Sequence, residues 1–219
     1  GTGEDACWLA GQGFPVHATD ISPVMLGKLR EKINARQLAG LIRAECCSFT
    51  ALENLEEKGP FDHIFSNFGG LNCTNRLEKV LDRFEDLLKP GGYATLVLLP
   101  KFCLWETAML FRCKSKTAFR RFSGAAGTPA HIEGHHFRCW YYNPSFIRDY
   151  LKGSFDVVAL EGLCTLVPPS WYDGFAEKYP RFYRFLVRKE KKWKSLRPWR
   201  STGDYYMITL QKRSFSLGG

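Results

Sequence analysis

The sequence predicts an α/β fold in which a largely parallel sheet carries helices on both faces. Stretches typical of strands alternate with stretches of helical period, and this βα rhythm favours parallel pairing. The length of 219 residues suits one domain with decorations and is enough to bury a full core. With 45% hydrophobic and 24% charged residues, the composition is that of a globular chain and excludes disordered and fibrous classes.

The N-terminal elements are predicted from capping residues and apolar periodicity. Ser22 followed by Pro23 is the pattern of a helix N-cap and first helical position. Gly11 and Gly13 end the helix before it. The predicted elements are a helix over 4–10, a strand over 16–20, a helix from 23 to about 35, a strand over 41–47 and a helical stretch over 51–58.

The remaining elements are predicted in the same way. Apolar residues recur at a helical period from Leu77 to Leu88, and Pro90-Gly91-Gly92 ends that helix. Asn143 and Pro144 begin another helix. The predicted strands cover 61–66, 93–99, 155–163 and 205–211, and the predicted helices cover 77–88 and 144–152.

Two stretches, 101–142 and 164–204, do not follow this rhythm. Both are long for loops of a compact domain, and such stretches are often lids or binding segments. Residues 181–200 lie in the second stretch and supply +8 of the net charge of +9. The segment is predicted to be an amphipathic helix, because apolar residues recur in it at helical spacing. It could be a solvated face on the core, or it could contact an anionic substrate, a membrane surface or a nucleic acid.

The cysteine pattern and the length of the apolar runs indicate the cellular compartment of the protein. The eight cysteines show no C-x-x-C pair or other zinc spacing. No apolar run approaches the roughly 20 residues of a membrane-spanning helix. We therefore expect a cytoplasmic protein without a transmembrane segment.

A glycine-rich motif opens the chain. Gly1-Thr2-Gly3-Glu4-Asp5-Ala6 fits the pattern G-x-G-x-x-G/A, and Asp20 follows at the end of the next strand. Such glycines let the backbone approach a nucleotide, and a carboxylate at this place can accept hydrogen bonds from ribose hydroxyls. By itself the motif suits a nicotinamide or flavin dinucleotide as well as S-adenosylmethionine.

Two further motifs distinguish between these classes of cofactor. The sequence FDHIFSNFGGL at 61–71 and the turn LKPGG at 88–92 follow the glycine motif, each at its expected element. Together the three motifs resemble class I S-adenosylmethionine-dependent methyltransferases of the small-molecule type, and dinucleotide dehydrogenases do not share the second and third. The resemblance implies a Rossmann-like methyltransferase fold, mostly parallel with an antiparallel last strand, as a single domain over 1–219. The family's first strand should precede Gly1, so we expect it to be missing from this chain.

The resemblance implies S-adenosyl-L-methionine as the cofactor and S-adenosyl-L-homocysteine as its product. Gly1 and Gly3 would shape the turn under the methionine part, while Asp20 would hold the ribose hydroxyls. Ser48 stands where the family usually has an aspartate that accepts from the adenine amine. The implied cofactor-binding residues are Gly1, Thr2, Gly3, Asp20, Ile21, Ser48, Phe49, Asn67, Phe68 and Gly69.

The acceptor side is predicted from topology, because in the family the strands before the two long stretches end at the cofactor edge. Both stretches should therefore cap the active site. The candidates for the acceptor pocket are Trp105, His131, His135, His136, Trp140 and Tyr141. His135 and His136 are candidates for a general base, which is needed only if the nucleophile must lose a proton. No metal set is predicted, because two adjacent histidines do not readily share one ion.

The sequence therefore predicts a methyltransferase acting on a small-molecule acceptor, anionic or lipid-linked, by in-line displacement. Asn67-Phe68-Gly69-Gly70 lacks the prolines and aromatic of the N-P-P-Y tetrapeptide in amino-methylating DNA enzymes, which counts against nucleic acid. One alternative is a degenerate methyltransferase fold that binds a partner through 181–200, including peripherally at a membrane. Another is a nicotinamide-dependent oxidoreductase. The oligomeric state is left open.

Overall fold

The computed structural model describes residues 1–112, 119–122, 124–132 and 135–214. The chain divides into two compact units, Gly1–Lys58 and Gly59–Gly219, which are described separately. Among the described residues, no helix combines the length and apolar character needed to span a bilayer.

Gly1–Lys58 forms a small βα unit with its own core. Its elements are α1 (Glu4–Gly11), β1 (Val16–Asp20), α2 (Pro23–Ala35) and β2 (Ile42–Cys46). The two strands pair in parallel, with Val16 opposite Ile42. The core contains Ala6, Cys7, Ala10, Leu26, Leu29, Ile33 and Ile42. Burying this apolar surface holds both helices on the strand pair.

The turn chemistry of this unit follows the sequence. Ser22 caps α2, because its Oγ accepts a hydrogen bond from the backbone N–H of Met25 at 3.4 Å. The helical stretch predicted over 51–58 is a 3₁₀ helix over Phe49–Asn54. It begins earlier than predicted, since Ser48 supplies its N-cap.

Gly59–Gly219 is built on a four-stranded sheet. The unit contains the strands β3 (Phe61–Ser66), β4 (Leu88–Leu98), β5 (Thr128–Ile132), β6 (His135–Cys139), β7 (Phe155–Leu163) and β8 (Tyr205–Lys212), of which β5 and β6 form a separate hairpin. The sheet has the order β3-β4-β8-β7; β3 pairs with β4 in parallel, and β8 is antiparallel to both β4 and β7. The prediction of an antiparallel last strand is confirmed.

The helices of this unit are α3 (Leu77–Leu81), α4 (Phe84–Leu87), α5 (Leu104–Ala108), α6 (Pro144–Leu151), α7 (Phe175–Lys178) and α8 (Pro180–Trp193). The single helix predicted over 77–88 is wrong in detail, because it is interrupted between α3 and α4 and Leu88 already pairs with Phe61 of β3. The ladder resumes at His63 opposite Tyr93, so the Pro-Gly-Gly turn is a bulge within β4.

The two long stretches contain regular structure that leads back to the sheet. The first holds α5 and an antiparallel β5–β6 hairpin that the sequence did not predict. The second holds α7 and α8, and α8 confirms the amphipathic helix predicted within 181–200. The stretches follow β4 and β7, whose carboxyl ends share one edge with the start of the antiparallel β8.

Candidate active site

The glycine motif forms a tight turn at the start of α1. Gly3 has a left-handed φ of 79° and caps the helix. A Cβ on Gly3 would lie 2.3 Å from Leu29 Cδ1, so only glycine lets α2 pack this close to the turn. Lys32 Nζ donates to the carbonyl of Thr2 at 2.9 Å, which fixes the turn from the same helix.

Asp20 ends β1 beside this turn. Its carboxylate accepts from the backbone N–H of Ser22 at 2.7 Å, and Gly1 lies next to it. The adjacent Ile21 side chain is 66% exposed. The structure thus puts an acid, a glycine turn and an exposed apolar side chain together at the carboxyl end of one strand.

Ser48 and Phe49 follow β2 in the same unit. Ser48 Oγ accepts from the Thr50 backbone N–H at 3.3 Å and shares a 2.9 Å hydrogen bond with Thr50 Oγ1. The hydroxyl that stands in place of the family's aspartate therefore serves as a local helix cap. Phe49 is half-buried beside it.

The turn after β3 is strained. Phe68 and Gly69 both have left-handed φ, at 50° and 68°. Phe68 is 75% exposed, although a bulky residue rarely adopts this conformation. The Gly69 N–H donates to the carbonyl of Val97 on β4 at 3.0 Å, and the Asn67 side chain accepts from the Phe68 N–H at 2.8 Å. Strained turns of this kind cluster at functional sites.

Asn72, which sequence reasoning missed, organises this edge of the sheet. Its fully buried amide donates to the carbonyls of Leu99 and Trp140, at 3.2 and 2.5 Å, and accepts from the Leu99 N–H at 2.9 Å. Its backbone carbonyl accepts from the Trp140 N–H at 2.7 Å. One side chain thereby joins the turn after β3, the end of β4 and the residue after β6.

A buried ion network, also missed, fixes the first long stretch. Arg121 Nη2 donates to Glu106 at 2.6 Å and to the Asp204 carboxylate at 2.5 Å. Arg121 Nη1 reaches the carbonyls of Pro100 and Asp204, at 3.2 and 2.9 Å. The network connects the end of β4, α5 and the start of β8, so this part of the stretch is anchored to the sheet.

Arginine pairs with both acids of this network, but their pKa values shift in opposite directions, because burial dominates at Asp204 and raises its pKa. Burial raises the pKa of Glu106, but hydrogen bonds from Arg120 and Arg121 outweigh it, so the pKa lies below its usual value. Cys103 Sγ and oxygens of Glu106 and Asp204 lie within 4.8 Å of one another, a donor set that could hold a metal ion. Because Arg121 already bonds to both carboxylates, we read the cluster as an ion pair network.

The predicted pocket histidines lie on the β5–β6 hairpin. His131 and His136 are cross-strand partners, and their ring centroids are 4.6 Å apart. Both residues are exposed. The backbone of His135 pairs with Ile132, while its side chain lies outside the described residues. The structure brings two of the three histidines into contact.

The predicted pocket aromatics pack against different neighbours. Trp105 on α5 contacts the rings of Tyr172 and Phe175, at centroid distances of 5.8 and 6.2 Å, and so joins the two long stretches. Tyr141 is buried with the Arg121 guanidinium 5.3 Å from its ring centroid. Burial raises the pKa of Tyr141 to about 12, so its phenol stays protonated at neutral pH.

Trp140, the remaining pocket candidate, packs on the turn that precedes β5. A Cβ on Gly127 would lie 2.7 Å from Trp140 Cε2, so the indole rests directly on the glycine backbone. Gly127 has a left-handed φ of 65°. Trp140 is thus held by this turn and by Asn72.

Glu190 anchors the second long stretch. This acid of α8 accepts four backbone hydrogen bonds of 2.7–3.1 Å from successive N–H groups. The donors are Cys164, Thr165, Leu166 and Val167, which directly follow β7. Lys194 Nζ pairs with Glu161 of β7 at 2.5 Å. The sequence signal was available, since Glu190 is the sole acid among nine basic residues of 181–200.

Comparison with known proteins bears on the identity of this site. Residues 1–92 match a family model described as a methyltransferase domain, and these residues include the glycine turn, Asp20 and the turn after β3. The match covers 92 of the 219 residues, so the N-terminal part of the chain is similar to a methyltransferase domain.

Solved structures share the fold of this chain. One is a Listeria monocytogenes protein assigned to the S-adenosylmethionine-dependent methyltransferases, with 13% identity and a TM-score of 0.63 over 97% of this chain and 86% of that one. Another is a Clostridium acetobutylicum ATCC 824 methyltransferase with 14% identity and a TM-score of 0.60, over 97% and 81% of the chains. A third is the cyclase SpnF, with 15% identity and a TM-score of 0.56 over 99% and 73%. Among curated proteins, no sequence matches the chain.

Proposed function

We propose that this protein is a methyltransferase that transfers a methyl group from S-adenosylmethionine to a small-molecule acceptor. The observation that carries the proposal is the left-handed glycine turn at Gly3 together with Asp20 at the end of β1, within one compact unit. Both belong to the segment that matches the methyltransferase-domain model. When bound, the cofactor supplies an activated methyl group, so the protein mainly has to align the reactants and exclude water.

The residues of Gly1–Lys58 fit a nucleoside with an amino-acid tail. Gly3 leaves no room for a Cβ, which brings the backbone turn close to any ligand above it. We assign Asp20 to the ribose hydroxyls, because a carboxylate accepts two hydrogen bonds side by side. Ile21, with its exposed side chain, is assigned to a face of the adenine. Gly1, Thr2, Ser48 and Phe49 complete this half of the proposed site.

Within Gly59–Gly219, Asn67, Phe68 and Gly69 are the residues that we propose for cofactor binding. Their strained turn ends a parallel strand, where ligands of open α/β sheets bind. The two long stretches are assigned to the acceptor side. His136 is the candidate for taking a proton from an acceptor hydroxyl, since it is exposed on the hairpin. His135 stays a candidate by its place in the same strand.

The alternative is a binding module that has lost catalysis. Ser48 favours it, because a hydroxyl already used as a helix cap is a weaker acceptor than the aspartate it replaces. The likeness to the cyclase SpnF also cautions that one fold serves different reactions. The two alternatives differ in cofactor binding, which can be measured directly.

The first experiment titrates the full chain with S-adenosylhomocysteine by calorimetry, with NAD as the competing ligand class. We expect the protein to bind S-adenosylhomocysteine and not NAD. Asp20→Asn should weaken this binding at least about tenfold, because charge-assisted hydrogen bonds are lost. Glu31→Gln is the matched control, since it removes one exposed acid of α2 in the same unit. Failure to bind, or equal effects of the two substitutions, would refute the assignment.

A second experiment tests the acceptor class. The protein is incubated with methyl-labelled S-adenosylmethionine and a cell extract separated into small molecules, nucleic acid and protein. Label recovered in the small-molecule fraction supports the proposal, and label recovered in either polymer overturns it. The Asp20→Asn protein serves as the blank, because transfer by a contaminating enzyme would persist in it.

A further inference from the structure

We propose that α8 docks on a membrane surface rich in anionic lipid headgroups. The inference concerns a binding surface and does not depend on the proposed reaction. It rests on the orientation of the helix, on an exposed basic face and on an aromatic edge beside that face.

Glu190 sets the orientation of α8. The four backbone N–H groups after β7 converge on its carboxylate, so this side of the helix faces the protein. Tyr183, Leu186 and Val187 are only partly exposed, in keeping with that orientation. At 3.6 residues per turn, the opposite side of the helix must point away from the sheet.

That outer side is basic. Arg181, Arg184, Arg188 and Lys192 lie on the side of α8 opposite to Glu190, and all four are exposed. With 14 residues, the helix spans about 21 Å, so several headgroups can be contacted along it. The face belongs to residues 181–200, which supply +8 of the net charge of +9, so the rest of the chain is nearly neutral.

An aromatic edge runs along the basic face. It consists of Phe182 and Phe185, which are 52% and 43% exposed. The Phe182 and Phe185 rings stack with centroids 6.1 Å apart, and Lys189 Nζ lies 5.4 Å from the Phe185 centroid. A merely solvated face has no need for two exposed rings beside its charges, whereas helices at lipid interfaces combine basic and aromatic residues in this way.

The basic face and the aromatic edge together indicate which partner α8 binds. Anionic headgroups complement the basic face, and the acyl boundary just below them accommodates exposed rings. A nucleic acid would also satisfy the charges, but helical nucleic acid offers no apolar layer to these phenyl groups. The aromatic edge therefore favours a lipid surface and provides the discriminating measurement.

The experiment measures sedimentation of the full chain with vesicles of phosphatidylcholine, with and without phosphatidylglycerol. We expect binding only to the anionic vesicles. The variant Arg181→Gln/Arg184→Gln/Arg188→Gln/Lys192→Gln should bind roughly 100- to 1,000-fold more weakly, since each basic residue contributes electrostatic attraction near the surface. Phe182→Ser/Phe185→Ser should bind at least about tenfold more weakly, because the buried apolar area is lost.

The matched control is Lys28→Gln/Arg30→Gln/Lys58→Gln/Lys152→Gln, which removes four exposed charges away from α8. It should keep most of the vesicle binding. If this control loses as much vesicle binding as the α8 variant, net charge alone explains the binding, and the proposal is overturned. A phenylalanine variant that binds anionic vesicles like the parent, together with tight binding of duplex RNA, would overturn it in favour of a polyanion surface. Circular dichroism of each variant checks that α8 is retained.

Discussion

The two long stretches leave β4 and β7, two strands of one sheet, yet they use charge in opposite ways. In the first, Glu106 and Arg121 are 1% and 2% exposed and neutralise each other inside the protein. In the second, Glu190 alone turns inward, and the basic residues of α8 face solvent. Charge in the first stretch therefore serves stability, whereas in the second it forms a surface.

The largest change in the free energy of unfolding is expected when the buried ion network is disrupted. Arg121→Met should lower the free energy of unfolding by about 3–5 kcal/mol, because it leaves the buried Asp204 without its arginine and removes one of the two arginines paired with Glu106. Urea denaturation followed by circular dichroism measures this. Arg120→Met is the matched control: the Arg120 side chain pairs with the same Glu106 but is 41% exposed, so about 1 kcal/mol or less is expected. Equal losses would show that burial does not distinguish the two arginines.

A smaller effect is expected where the first stretch meets the end of β4. Asn72→Ala leaves the carbonyls of Leu99 and Trp140 without their buried donor and should cost about 2–3 kcal/mol. Asn34→Ala, at an exposed position of α2, is the control and should stay within about 0.5 kcal/mol. Thermal unfolding of both proteins tests the difference. If Asn72→Ala unfolds like the parent, the Asn72 amide does not hold the first stretch to the end of β4.

The smallest of the three effects is expected at the anchor of the second stretch. Glu190→Gln keeps the shape but weakens the charge-assisted hydrogen bonds from 164–167, which should cost about 1–2 kcal/mol. Glu177→Gln, an exposed acid of α7, should change stability by less than about 0.5 kcal/mol. Hydrogen exchange at Val167 gives the local readout. Unchanged protection there would contradict the anchoring role.

Local patterns were enough for most of the fold. Ser22 followed by Pro23 fixed the start of α2, because a cap needs only neighbouring residues. The apolar period within 181–200 predicted α8 for the same reason. Local pattern misled at Leu88, which continues the helical period of 77–88 but pairs with Phe61 in β4. Strand pairing there prevailed over periodicity.

By itself the sequence determined the α/β class, the likeness of residues 1–92 to a methyltransferase domain and the places of the glycine turn and Asp20, since short motifs and alternating periods encode them. Only the tertiary structure decided which polar groups hold the two long stretches. Arg121 meets Asp204 across 83 positions, and Asn72 meets Trp140 across 68. Such pairs leave no periodic or spacing signal, because burial brings them together only after the sheet has formed.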